Sequence, residues 1–486
     1  MTCTSTCAST CASRPRGPKG SPIVGNAGGL WQSGLESLRA CALQYGDLVP
    51  LRLFRKRFLF VSRPDYVAHV LATSHQKVAK GVARRSDHIL LGDGISLREG
   101  DAWRRSRRLM QPAFRHDRLA AYGEEVVALT ERAIEGWREG ESRDVYADFS
   151  RLTMAIVGQA LLGVDVAGED ADLADELTRA LATRDAHART LSMLLPGWLP
   201  TPSNLRMWLA RRRLDRILQK IVERRRAARR VTADGADEPV PDDLLSLLLS
   251  SGDEDGGFET GEHARSEMLT IFVGGHETVA DLLAWTWYLL ALHPEIEARL
   301  VAELDEVLGG RSPSTSDLPR LRYASMIVAE VLRLYPPAPV LIREAVAELE
   351  IGGYKVARGT EIVMSPWVLQ RDPRFFDEPE VFDPNRWADG LASRLPRYSY
   401  FPFGGGPRLC LGRSFATLEA TLVLAVVAQR FHLDLVPGHP VVAEPIPTLH
   451  PKYGVLMETH PRWSRCYQSR WRGASQPPST TAGLPR

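Results

Sequence analysis

Residues 401–412, FPFGGGPRLCLG, set one cysteine, Cys410, in a loop of three glycines and a proline just ahead of an apolar helical pattern. The run Gly404-Gly405-Gly406-Pro407 carries almost no side chain, so a planar macrocycle could lie close to the backbone there. Beyond it, Phe415, Leu418, Leu422 and Ala425 recur at helix spacing between Ser414 and Phe431. Cys410 is therefore expected at a helix N-terminus, where free N–H groups and the helix dipole lower a thiol's pKa. This arrangement suits a thiolate held against a large flat ligand. The competing reading is a free cysteine sitting incidentally in a turn.

Phe403, Gly406, Arg408, Cys410 and Gly412 stand at the spacing Phe, two residues, Gly, one, Arg, one, Cys, one, Gly. In this the loop resembles the haem-binding signature of the cytochrome P-450 family, with no departure. The resemblance implies haem b (iron protoporphyrin IX), with Cys410 as the axial ligand to iron and Phe403, Gly404, Arg408 and Gly412 around the cofactor. A thiolate in that position pushes electron density toward the metal and favours O–O cleavage. The implied fold is the P-450 fold: mainly α with a small β region, one large domain, and the haem between a long central helix and the cysteine-loop helix.

Three more constellations bear on the same chemistry. Gly274-Gly275-His276-Glu277-Thr278 interrupts a long helical pattern. Two glycines in mid-helix cost roughly 1 kcal/mol each relative to alanine, which suits a helix that opens or packs against a ligand. An acid and a hydroxyl there can relay protons, although a packing contact with Glu277 turned to solvent gives the same string. A zinc site of the H-E-x-x-H type is excluded because position 280 is alanine. The segment resembles the family's oxygen-activation motif, which implies that Thr278 hydrogen-bonds bound dioxygen and Glu277 supports proton delivery. Glu330 and Arg333 lie three apart on one helix face. They resemble the family's Glu-x-x-Arg pair, with Arg386 as a third, structural member that locks the coil before the cysteine loop. Trp103 and Arg107, one helical turn apart, offer donors for a carboxylate. They resemble the family's propionate-binding pair, and Arg343 and Arg408 match the other positions that reach the propionates.

A chain of 486 residues with 44% hydrophobic content can bury a large core. A net charge of +2 points to no nucleic-acid partner. Cysteines at 3, 7, 11, 41, 410 and 466 form no disulfide framework, so a reducing cytoplasm is expected. Residues 1–14 read as a disordered leader without signal peptide or membrane anchor, 15–461 as the P-450 domain, and 462–486 as a disordered basic tail. Residues 48–62 are expected to form a β-hairpin, 64–230 to be mainly helical, 210–230 to form a helix with a dense basic face, and 231–243 and 251–262 to be acidic surface loops flanking a short helix at 244–249. A long helix is expected over 264–292, a strand-rich stretch near 340–365, and coil over 371–402.

The resemblance implies a monooxygenase that takes one oxygen atom from O2 into a hydrophobic substrate, a terpene-like or other lipophilic natural-product intermediate. Electrons from NAD(P)H would come through a ferredoxin or flavodoxin and its reductase, docked near basic side chains such as Arg413, and the protein is expected to be monomeric. By position the substrate would touch Leu91, Phe272, Val273, Gly274, Val340, Leu341 and Leu449, with the apolar segment LSMLLPGWLP (191–200) as an access lid. A peroxygenase or haem-thiolate isomerase, and a haem sensor or carrier, are the alternatives.

Overall fold

The longest apolar stretch of the chain becomes its central element. In the computed structural model, which describes residues 15–81, 83–190, 197–233, 243–250, 261–445 and 447–462, one helix runs from Gly261 to Leu292. It starts about a turn earlier than Ala264 and stops where expected, because the residue before a proline is pushed out of the helical region. His293 takes φ −132°, and Pro294 opens the next helix at its first turn, Pro294–Leu308. Phe272, Leu283, Trp285 and Trp287 are buried on its several faces. A helix apolar all round must be enclosed. It packs against the helices Val145–Ile156, Pro202–Ala233, Arg322–Leu334 and Arg413–Arg430.

The expected hairpin forms from Leu48–Leu53 and Lys56–Val61, antiparallel. It is the edge of a five-stranded sheet that continues through Glu361–Met364, Leu341–Ala345 and Val78–Lys80. The last pairing sets Lys80 beside Arg343. A second sheet joins Glu141–Asp144, Leu456–Pro461 and Phe431–Leu435.

The basic stretch at 210–230 is the interior of the longer helix Pro202–Ala233, which buries Leu214, Leu218, Ile221 and Val222 and leaves Arg212, Arg213, Arg216, Arg224 and Arg226 exposed, while Arg211 and Arg225 turn inward to bond Leu90 and Asp243. Residues 231–233 and 261–262, expected in acidic loops, are helical instead. The remainder of both loops except Asp243, positions 191–196 of the apolar segment, the leader 1–14 and the tail from 463 lie outside the described residues. Arg462, read as the first tail residue, is held in the fold: its backbone N–H bonds the Arg430 carbonyl at 3.0 Å and its guanidinium the Glu297 carboxylate at 2.6 Å.

Candidate functional site

The cysteine loop is built by packing on the protein side. Gly406 has φ +64°, and a Cβ there would run into the Leu71 carbonyl. A Cβ on Gly405 would strike the ring of Tyr398, whose hydroxyl accepts the Gly406 N–H at 3.0 Å. The bareness of these two positions therefore serves the loop's own seat, a correction to the expectation that all three glycines make room for a ligand. The Cys410 N–H bonds the Phe403 carbonyl at 3.1 Å, and Arg107 donates to the Leu409 carbonyl at 2.8 Å. Gly412 then caps the helix Arg413–Arg430.

The thiol itself is pushed up, not down. Burial raises the Cys410 thiol more than the Gly412 N–H, Arg107 and Arg413 lower it, so the helix N-terminus does not dominate as expected. Yet Cys410 is exposed by area. Both hold if the sulfur opens onto an interior space and not onto bulk water. An iron cation at the sulfur would supply the charge that the protein alone does not.

Beside the loop is a cationic groove of about 620 Å³, lined in part by Lys80, Glu99, Trp103, Arg343 and Arg408. The guanidinium carbons of Arg408 and Arg107 lie 4.4 and 5.9 Å from the Trp103 ring centroid. Arg408 is paired with Glu99, which also accepts the Lys80 N–H at 2.7 Å. Burial and then its cationic neighbours lower Arg343 to about 10 and Lys80 to about 7. Cations crowded in this way favour added negative charge. Trp103, Arg107, Arg343 and Arg408 are thus brought together as the sequence predicts. Lys80 and Glu99 were not foreseen, since nothing in their own neighbourhood marks them.

The long helix is continuous through its two glycines, which contradicts a break there. Their reasons differ. A Cβ on Gly275 would come within 2.7 Å of Val157, so this residue lets the neighbouring helix approach. A Cβ on Gly274 would meet nothing within 4 Å, and Gly274 is exposed while Phe272, Val273, His276 and Glu277 are buried. That gap in an otherwise enclosed helix is room for a ligand. Thr278, one turn on and partly open, donates to the Gly274 carbonyl at 2.8 Å. Glu277 does not face solvent: both its oxygens accept from one Arg184 nitrogen, at 2.6 and 2.9 Å. His276 is buried against Ser150 at 3.0 Å, and burial lowers it to about 4, so it is neutral.

Glu330 and Arg333 are both fully buried and paired at 2.8 and 2.9 Å. Arg333 also donates to the carbonyls of Gln370, Pro379 and Val381. Arg386 reaches Glu330 at 3.4 Å, and the Trp387 indole donates to it at 2.9 Å. Gln370 completes the link, donating to the Leu332 and Arg333 carbonyls and accepting the Phe401 N–H at 2.9 Å, where the cysteine loop begins. Among the substrate candidates, Leu91, Phe272, Val273 and Leu449 are buried, and Gly274, Val340 and Leu341 are open or partly open. The Leu449 carbonyl is fixed by the Trp285 indole at 2.7 Å.

An accessible thiol, a bare helix position and a cluster of cations beside the cysteine loop fit a planar, dianionic, metal-bearing macrocycle. The comparisons agree. The cytochrome P450 family model matches residues 15–462, and the chain belongs to that family. It is similar to cyclooctat-9-en-7-ol 5-monooxygenase of Streptomyces melanosporofaciens, 36% identical with 87% of this chain and 90% of the relative covered. Pentalenene oxygenase of Streptomyces avermitilis is 33% identical, with 90% and 95% covered. The solved structure of a retinoic acid-bound cyanobacterial CYP120A1 superposes with a TM-score of 0.79 at 25% identity, over 92% of this chain and 99% of that one. The protein is a cytochrome P450 monooxygenase, an oxidoreductase. No helix among its described residues is long and apolar enough to cross a membrane.

Proposed function

We propose that this enzyme oxygenates a terpene-like, lipophilic natural-product intermediate. Its electrons come from NAD(P)H through a separate ferredoxin or flavodoxin and its reductase. The observation that carries this reading is the Cys410 thiol, accessible yet governed by burial. Haem b, held by Cys410 at the iron and by Trp103, Arg107, Arg343 and Arg408 at its carboxylates, supplies the oxygen-activating chemistry when bound. Thr278 holds a hydroxyl proton at the open face of the long helix, with Glu277 behind it as the acid partner. The buried tether from Arg333 through Gln370 to Phe401 holds the loop in register. Arg413, exposed at the first turn of the cysteine helix, offers charge to an acidic electron donor.

Two relatives carry the names of a terpene hydrocarbon and a terpene alcohol, which supports an apolar polycyclic substrate over a fatty acid or macrolide. Titrating purified haem protein with a panel of all three classes should shift its main absorption band with terpenes first. The decisive control is Cys410→His, which should keep haem but lose the red-shifted ferrous–CO band. Survival of that band in the variant would end the thiolate assignment.

A further inference from the structure

One turn beyond Glu277 lies a second acid that the proposed chemistry does not use. Asp281 has no exposed surface, and neither of its carboxyl oxygens has a hydrogen-bond partner among the described residues. A buried carboxyl in that state needs a reason. The groups that face it come from four elements. Glu277 is on its own helix. Tyr146 comes from the helix Val145–Ile156, Arg184 from the helix Ala171–Ala188 with Asp185 beside it, and Thr448 from the segment before His450–Pro451. The hydroxyls of Tyr146 and Thr448 are near enough to act on its charge without closing a hydrogen bond, and the Thr448 hydroxyl has no partner either. Hydroxyls beside a buried, unpartnered carboxyl are the kind of polar surroundings in which a buried water is held.

The two carboxyls are held differently. Both Glu277 oxygens are taken by Arg184, itself buried and also held by Asp185 at 3.0 Å. Burial, and then the charge of Glu277, push Asp281 well above the usual carboxylate range. One acid is fixed by a guanidinium and its neighbour is left without a partner, an asymmetry that suits an acceptor beside a donor. Toward the surface, the neighbours of Tyr146 are polar. The Tyr146 ring stacks on His450 with centroids 6.4 Å apart, and His450 lies 3.4 Å from Glu444, which pairs with half-exposed Arg189.

We propose that Asp281 is the internal proton store of this enzyme, passing its proton to Glu277 and refilled from the surface through Tyr146, Thr448 and His450. The proton leaves an Asp281 oxygen, crosses one water to a Glu277 oxygen, and continues to the Thr278 hydroxyl. Asp281 remains as the carboxylate until a proton from solvent replaces the one given up. The inference rests on the monooxygenase reading above, and its test separates the two.

Infrared spectra of the resting haem protein at pH 7 should show the C=O band of a protonated carboxyl that Asp281→Asn removes and Glu277→Gln keeps. The measurement is made in a Glu419→Gln background, because Glu419 on the cysteine helix is a second buried carboxyl without a partner. In reconstituted turnover, Asp281→Asn should lower product formed per NAD(P)H about tenfold or more and enlarge the solvent deuterium isotope effect. Thr448→Val, which keeps the acid and cuts its refilling, should retain the band and uncouple in the same direction. It decides the matter if the asparagine variant fails to take up haem. Absence of the band at pH 7, or unchanged coupling in both variants, overturns the proposal. No turnover by the parent enzyme on any class of substrate would instead overturn the functional reading, while the infrared result still reports on Asp281.

Discussion

A single carboxylate, Glu330, shows how much one residue organises here. It receives two hydrogen bonds from Arg333, one from the Trp387 indole, one from the Asp383 N–H and a longer one from Arg386. An ion pair with no exposed surface is sustained only when its remaining lone pairs are filled. The sequence showed one of these partners, Arg333, by spacing and a second, Arg386, by resemblance. It did not show Trp387, whose indole nitrogen lies 2.9 Å from Glu330. Trp387→Phe keeps the ring against Tyr400, 4.7 Å away between centroids, and deletes only that donor. A hydrogen bond to a charged group is worth about 1.5–3 kcal/mol, so urea unfolding of the haem protein should show a loss of that order. A loss below about 0.5 kcal/mol would mean that the indole is incidental to the buried pair.

At the scale of an element, the long helix carries two glycines that look alike in the sequence and do different things. Gly275 answers to Val157 at close range; Gly274 answers to open space. Gly275→Ala should destabilise by about 1–3 kcal/mol, because a branched neighbour must move in a packed interior. Gly274→Ala should raise stability by up to about 1 kcal/mol through helix propensity while narrowing the space above Thr278. Thermal unfolding and substrate titration of the two variants check this: stability falls for one, affinity for the other. Equal losses of stability would refute the division. The pattern of the helix, its C-terminal stop at His293-Pro294 and the hairpin at 48–62 were legible because each depends on neighbours in the chain. Which side of a glycine is occupied is not, since that depends on residues such as Val157 brought in from over a hundred positions away. The same reason hid Arg184, Gln370 and Glu99, ordinary polar residues until the fold places them on Glu277, Phe401 and Arg408.

Across the whole molecule, the end of the described chain is fastened by charge. His432 lies between Glu297 at 2.8 Å and Asp434 at 3.1 Å, joining the helix Pro294–Leu308 to the strand Phe431–Leu435. Arg462 binds the same Glu297 and closes the final strand onto that helix. Burial alone would depress His432, but its hydrogen bonds to Asp434 and Glu297, with their charges, bring it up to about 9. A histidine raised in the folded state stabilises fully below its unfolded pKa of about 6.5, and that contribution is lost as pH rises through 9. Stability should therefore decline between about pH 6.5 and 9.5, by an amount on the order of 3 kcal/mol at most from this residue. Other groups titrate in that window, Lys80 near 7 among them, so the informative quantity is a difference between proteins. His432→Gln should be less stable than the parent at pH 6.5 and approach it at pH 9.5 in urea unfolding. A constant gap across the window would show that the imidazole acts there by packing and not by charge.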